Sequence, residues 1–130
     1  MRILLDHNTP APLHYALSGH QVETAYERGW AELTNGELLS SAEAAGFDLL
    51  ITTDKGIRYQ QNLTARRLSL LVLNTNDWTR IRHSTALIVA ALASIGIGEM
   101  LSWKFPPNDH GRAMIPIEIQ QPLLTKPMLS

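Results

Sequence analysis

Short apolar runs alternate with stretches of helical periodicity along residues 1–100 of the chain. Runs rich in leucine, isoleucine and β-branched residues, each bounded by polar or turn residues, are typical of strands. The pattern predicts four strands, at residues 2–5, 20–25, 48–53 and 68–74. The third run is apolar along its centre, which favours a strand that is covered on both faces.

The segments between and after these runs predict helices. They are residues 13–17, a helix that ends at Gly46, and residues 56–67 and 80–96. For the second helix, Thr34 or Asn35 is a suitable N-cap and Glu37 falls in the first turn. The fourth has the clearest apolar stripe. Strands that alternate with helices favour an α/β fold with a doubly wound, mainly parallel sheet.

The character of the chain changes after residue 100. Five of the seven prolines lie between residues 106 and 127, around an apolar segment at 113–119. Proline is tolerated at the edges of sheets and not at their centres. Residues 101–130 are therefore predicted to extend the domain of residues 1–100 with an edge strand, and a partner-binding tail is the alternative.

Composition limits the classes of protein to consider. The chain has 130 residues, which suits one domain, and it has no cysteine, which excludes disulfides and thiolate metal sites. It begins directly with a strand-like run and has no apolar run long enough to span a bilayer, so we expect a cytoplasmic protein without membrane contact.

Charge is distributed unevenly although the net charge is only −1. Residues 1–54 carry eight acids against Arg2 and Arg28, whereas residues 55–82 carry six basic residues against Asp77. A basic rim beside an acidic site suits a metal-dependent enzyme that acts on a polyanion. Solvated helix faces explain the same charges without any function.

Acidic residues follow two of the predicted strands. Asp6 closes the first strand and Asp54 follows the third, and these strands are neighbours in a sheet of order 2-1-3-4. Two carboxylates in one crevice repel each other, and Mg²⁺ or Mn²⁺ relieves that repulsion. Glu37 could reach the same opening, which predicts a metal site of Asp6, Asp54 and Glu37. As structural alternatives, an Asp after a strand often caps a helix, and a first-turn Glu favours the helix dipole.

The segments "ILLDHNTP", "ERGWAELTNGELLSSAEAAGFDLLITTDKGIRYQQNL" and "LVLN" resemble, in order and spacing, the DUF5615 family of PIN-like proteins. The resemblance implies a three-layer α/β/α PIN-like (Rossmann-like) domain. It also implies a nuclease that uses clustered acids and a divalent metal, and many such nucleases are toxins of toxin–antitoxin pairs. By this resemblance Asp6 and Asp54 fall on site acids, and Asn8 falls on the polar residue beside the first.

Two positions depart from the family's pattern. The family commonly has Glu where this chain has His7, and Asp where it has Asn35. Asn35 can offer a carbonyl but no charge, and His7 is a general base, a softer metal ligand or a turn residue. In a working site, Lys55 and Arg58 would neutralise the substrate phosphates.

The leading hypothesis is a metal-dependent endoribonuclease of the PIN-like toxin type, acting on single-stranded RNA. The alternative is a catalytically inactive PIN-like binding module, and a phosphoacceptor receiver domain is disfavoured because His7 stands where a receiver has a second acid. A small antitoxin or a second copy of the chain is the expected protein partner, because either could cover a bare strand edge.

Overall fold

The computed structural model describes residues 1–17, 19–54, 56–57, 67–104 and 117–122, with residues 104 and 117–122 as backbone. The strands are β1 (Arg2–Leu5), β2 (Gln21–Thr24), β3 (Leu49–Thr52), β4 (Ser69–Leu73), β5 (Glu99–Lys104) and β6 (Ile117–Pro122). The helices are α1 (Leu13–Ala16), α2 (Asn35–Ala44), α3 (Trp78–Ile81) and α4 (Thr85–Leu92). The predicted helix at 56–67 lies mostly outside the described residues.

The six strands form one sheet of order β2-β1-β3-β4-β5-β6. The first five are parallel, and β6 joins β5 antiparallel at the edge. The predicted order 2-1-3-4 of the first four strands and the mainly parallel sheet are thus confirmed. Because the order reverses between β1 and β3, the carboxyl ends of these two strands flank the switch point where open α/β sheets bind ligands.

Alternate residues of the central strands fill two separate apolar layers. On one face, Ile3, Leu49, Ile51 and Leu71 pack with side chains of α1, α3 and α4. On the other face, Leu4, Leu50 and Leu70 pack with side chains of α2. Both faces of the sheet are covered, so the three-layer α/β architecture expected from the sequence is present.

Two features differ from the sequence-based prediction. β5 was not predicted, and it begins at Glu99, directly after Gly98, whose φ is 70°. The helix predicted at 80–96 is instead divided into α3, a 3₁₀ turn at 82–84 and α4. Asp77 caps α3 by accepting a hydrogen bond from the Thr79 backbone amide at 3.0 Å, so the helical region begins earlier than the apolar stripe indicates.

The turn that follows β2 folds back onto the last residue of the strand, Thr24, at the outer edge of the sheet. The Thr24 backbone N–H donates to Glu27 Oε1 at 2.9 Å, and the Thr24 carbonyl accepts from the Arg28 backbone amide at 3.3 Å. The Glu27 amide in turn donates to Thr24 Oγ1 at 3.0 Å. Both peptide groups of Thr24 that face away from β1 are therefore bonded within the chain.

Within the part of the chain that the structure describes, no helix combines the length and the apolar character that a bilayer-crossing segment requires.

Candidate functional site

Asp6 follows β1 at the carboxyl edge of the sheet, and its side chain is only 6% exposed. The backbone amide of Asp6 donates to the Ile51 carbonyl at 2.9 Å, which continues the β1–β3 pairing by one residue. The Oδ2 atom accepts from the Thr52 hydroxyl at 2.7 Å, and Oδ1 accepts from the His7 backbone amide at 2.7 Å. Both carboxylate oxygens have donors, as burial of a charged group requires.

Thr52 connects the ends of β1 and β3. Its side chain is completely buried, and its hydroxyl donates to Asp6 while accepting from the Asp54 backbone amide at 3.1 Å. The strand register pairs Leu5 with Ile51, so Asp6 lies opposite Thr52 on the face of the sheet that α2 covers. One hydroxyl therefore fixes the positions of both aspartates relative to each other.

Asp54 is half-buried, and its carboxylate is held by two donors. The Asn35 side-chain amide donates to Oδ2 at 2.8 Å, and the Gly56 backbone amide donates to Oδ1 at 2.8 Å. Gly56 also leaves room for the carboxylate, because a β-carbon there would lie 3.2 Å from Oδ1. Asn35 is the first residue of α2, so this helix contributes a side chain to the same edge of the sheet. We call Asp6, Thr52, Asp54 and Asn35 the strand-end cluster.

Glu37 lies in the first turn of α2, where the sequence predicted it, and it is exposed. Its Oε1 atom accepts from the Thr34 backbone amide at 2.9 Å, while Thr34 Oγ1 accepts from the Glu37 amide at 3.2 Å. This reciprocal pair is a capping box, and it identifies Thr34 as the N-cap. Among the described contacts, the Glu37 carboxylate pairs with Thr34. Its predicted role as a metal ligand stays a prediction.

The other predicted site residues lie around the strand-end cluster or outside the described chain. His7 and Asn8 are exposed in the turn after β1, and His7 Nδ1 lies 3.1 Å from Asp6 Oδ1. This places His7 in the turn, one of the three roles that the sequence left open, with a contact to the site acid itself. Lys55 and Arg58 lie outside the described residues.

Charged and aromatic side chains pack together beside the loop that connects β2 to α2. Glu23 accepts from Arg28 Nε at 2.7 Å and lies 3.6 Å from Arg2. Both guanidinium groups also pack over the Phe47 ring. The hydrogen bond from Arg28 lowers the pKa of Glu23 below its ordinary value of 4.5, and Glu23 raises the pKa of Arg28. These contacts fix the loop that leads into Thr34 and Asn35.

The side chains at this edge are of the type that bind a hard cation while leaving part of its coordination shell to water. Two carboxylates at one edge, with an amide beside them, suit Mg²⁺, which takes one or two carboxylates and keeps several waters. Within the described ranges, no three histidine, aspartate or glutamate side chains are grouped so that together they could hold a metal ion, and Asp6, Asp54 and Glu37 are thus not brought together as a set of three. A cation at this edge would depend on Asp6 and Asp54, and its remaining ligands would come from water and substrate.

A cavity of about 540 Å³ lies at the opposite, amino edge of the sheet. It is lined by residues that precede or begin strands, including Met1, Asp48 and Ser69, and by Gly96 and Ile97. It is therefore separate from the strand-end cluster.

Thr52 and Thr9 were not predicted as site residues from the sequence. The Thr9 hydroxyl donates to the Ile51 carbonyl at 3.1 Å and is buried, so it fixes the turn that follows Asp6. A signal for Thr52 was present, because a hydroxyl at the end of a strand covered on both faces needs a hydrogen-bond partner.

No family model matches the chain, and neither the curated proteins nor the solved structures include a match.

Proposed function

We propose that this protein is a divalent-metal-dependent endoribonuclease whose Mg²⁺ or Mn²⁺ is held by Asp6 and Asp54. The observation that carries the proposal is the Thr52 hydroxyl, which bonds Asp6 Oδ2 and the Asp54 amide and so ties two acids to neighbouring strand ends. The crevice at a switch point of a parallel sheet is a usual ligand site in this architecture.

The residues of the site have distinct tasks in this proposal. Asp6 and Asp54 hold the cation, and Thr52 and Asn35 orient the two carboxylates through their hydrogen bonds. A cation bound by these residues would supply a metal-activated water and would neutralise negative charge on the phosphate. Lys55 and Arg58 are proposed to neutralise the flanking phosphates, and Asn8 to contact the substrate. Glu37 is retained as a third acid to be tested.

The choice of RNA as substrate rests on the resemblance to the DUF5615 family of PIN-like proteins. The same resemblance supports single-stranded RNA as the substrate form and a toxin role with a small antitoxin as partner. A second copy of the chain is the other partner that we propose, because either partner could cover a sheet edge.

A second candidate is a catalytically inactive PIN-like binding module. It is favoured because the carboxylates of the proposed site already accept hydrogen bonds from groups of the protein. Asp6 takes donors from Thr52 and His7, Asp54 takes donors from Asn35 and Gly56, and Glu37 caps a helix. A site that has decayed in this way would keep its shape without binding a metal.

The test combines Mn²⁺ binding with RNA cleavage. The wild type, Asp54→Asn and a control, Asp48→Asn, are compared by calorimetry with Mn²⁺ and by cleavage of single-stranded RNA oligonucleotides. Asp48 precedes the same strand, β3, at the opposite edge of the sheet and is exposed, so its variant makes the same charge change away from the site.

We expect Mn²⁺ binding and metal-dependent cleavage in the wild type and in Asp48→Asn, and the loss of both in Asp54→Asn with an unchanged circular dichroism spectrum. Cleavage that survives in Asp54→Asn would contradict the proposal. A folded wild type that neither binds Mn²⁺ nor cleaves any of the RNAs would establish the inactive module.

A further inference from the structure

Asn35 is followed directly by Gly36, and no other asparagine in the sequence is followed by glycine. Asparagine side chains can be attacked at Cγ by the backbone nitrogen of the next residue. Glycine permits this attack best, because it has no β-carbon to obstruct the approach and its backbone is conformationally free. Asn8 and Asn74, in contrast, are each followed by a β-branched threonine.

The position of the pair in α2 leaves the attacking nitrogen outside the helical hydrogen bonds. Asn35 and Gly36 are the first two residues of α2, and the first amides of a helix have no intrahelical acceptor. Both acceptors of the N-cap are bonded to amides of later residues. Thr34 Oγ1 accepts from the Glu37 amide, and the Thr34 carbonyl accepts from the Leu38 amide. Neither acceptor of the N-cap is therefore bonded to the Gly36 amide.

We propose that Asn35 is a deamidation site whose modification changes the strand-end cluster. In the first step, Gly36 N bonds to Asn35 Cγ and the bond from Cγ to Nδ2 breaks. Ammonia leaves with the proton from Gly36 N, and a five-membered succinimide remains. Water then opens the ring to give aspartate, or isoaspartate when the other carbonyl is attacked. The balance is one asparagine and one water for one acidic residue and one ammonia.

The change reaches Asp54 through a single contact. Asn35 Nδ2 donates to Asp54 Oδ2 at 2.8 Å, and an aspartate at position 35 cannot make that bond because a carboxylate has no donor. An attractive hydrogen bond is thereby replaced by two like charges at close range, and a bound cation relieves that repulsion. Deamidation to aspartate therefore raises the affinity of the cluster for a divalent cation. This part of the inference rests on the proposed function, whereas the chemistry at Asn35 does not.

Peptide mapping by mass spectrometry tests the chemistry. Folded wild-type protein is incubated at neutral pH and physiological temperature, and the 1 Da mass increase is followed at each asparagine-containing peptide. We expect Asn35 to deamidate several-fold faster than Asn8 and Asn74. The variant Gly36→Ala should slow the reaction at Asn35 several-fold while the helix is retained, because alanine is a better helix former than glycine. Equal rates at Asn35 and Asn74, or an unchanged rate in Gly36→Ala, would overturn the assignment.

Mn²⁺ calorimetry tests the effect on the cluster. We expect Asn35→Asp to bind Mn²⁺ roughly tenfold more tightly than the wild type, because the charge count of the ligands tunes cation affinity. The matched control is the double variant N35D/D54N, which restores the wild-type net charge and separates the paired carboxylates. Its affinity should fall to that of the wild type or below. Equal Mn²⁺ affinity of wild type and Asn35→Asp would overturn the effect on the cluster.

The two experiments separate this inference from the proposed function. Failure to cleave RNA would count against the proposed function alone, because peptide mapping and Mn²⁺ binding are measured without RNA.

Discussion

The Thr52 hydroxyl lies 2.7 Å from Asp6 Oδ2 and donates to it, and this contact joins two strand ends that are distant in the sequence. The same oxygen accepts from the Asp54 amide at 3.1 Å. Because a hydroxyl has a single proton, accepting from Asp54 leaves that proton for Asp6. The spacing between the two aspartates is therefore set by a residue that carries no charge.

Thr52→Val should destabilise the protein by roughly 1–3 kcal/mol, because it leaves a buried carboxylate oxygen without this donor and removes the acceptor of the Asp54 amide. Valine has almost the same shape as threonine, so packing changes little. Urea unfolding of the wild type and the variant measures the difference. Thr52→Ser keeps the hydroxyl and is the matched control. A valine variant as stable as the wild type would show that the hydroxyl contributes nothing to the junction.

Glu37→Gln separates the capping role of this residue from its predicted role as a metal ligand. Glutamine can still accept from the Thr34 amide, so the free energy of unfolding should change by only a few tenths of a kcal/mol, whereas Thr34→Ala should cost about 1 kcal/mol. If Glu37 is a metal ligand, Glu37→Gln weakens Mn²⁺ binding and Thr34→Ala does not. Unchanged Mn²⁺ affinity in Glu37→Gln would assign the residue to the cap alone.

Gly46→Ala should destabilise the protein more than Gly29→Ala. Both glycines have positive φ, 87° and 76°, so alanine costs roughly 1–2 kcal/mol at either position. A β-carbon at Gly46 would also lie 2.9 Å from an Arg2 nitrogen, whereas Gly29 has open space around it. That Arg2 nitrogen donates to the Ala45 carbonyl at 2.6 Å, so it cannot move away without loss. Equal unfolding midpoints for the two variants would mean that Arg2 adapts freely.

Glu23→Gln should reduce stability at neutral pH but not in acid. The folded state lowers the pKa of Glu23 from its ordinary 4.5, chiefly through the Arg28 hydrogen bond. A lowered pKa contributes stability above the unfolded value, and this contribution disappears as the pH falls through the folded value. The stability difference between wild type and variant should therefore shrink below pH 4.5. Urea unfolding across this pH range measures it, and exposed Glu32→Gln is the control. A difference that does not depend on pH would refute the linkage.

Local patterns were sufficient to predict much of the fold. The apolar runs that gave β1, β3 and β4 lie in the two buried layers, where periodicity and burial agree. Thr34, one of the two N-caps that the sequence offered, caps α2 through its hydroxyl, and the helix stops at Gly46 because a residue without a side chain tolerates the positive φ there. The adjacency of Asp6 and Asp54 was predicted from the expected strand order, and the structure brings both to the carboxyl edge of neighbouring strands.

Features that depend on tertiary contact were not predictable in the same way. β5 contains Ser102 between apolar residues, and its place beside β4 is decided by pairing rather than by pattern. The earlier start of the helical region follows from the Asp77 cap, which lies before the apolar stripe. The bridging role of Thr52 requires both strand ends in place, so the sequence alone offers only an unpaired buried hydroxyl.

The turn after β2 has a consequence for how copies of the protein meet. Glu27 and Arg28 occupy the peptide groups of Thr24 that another chain would need in order to extend the sheet beyond β2. A second strand that paired with the Thr24 end of β2 would have to break both of these hydrogen bonds. The loop therefore competes with any incoming strand for the hydrogen-bonding groups at this end of β2.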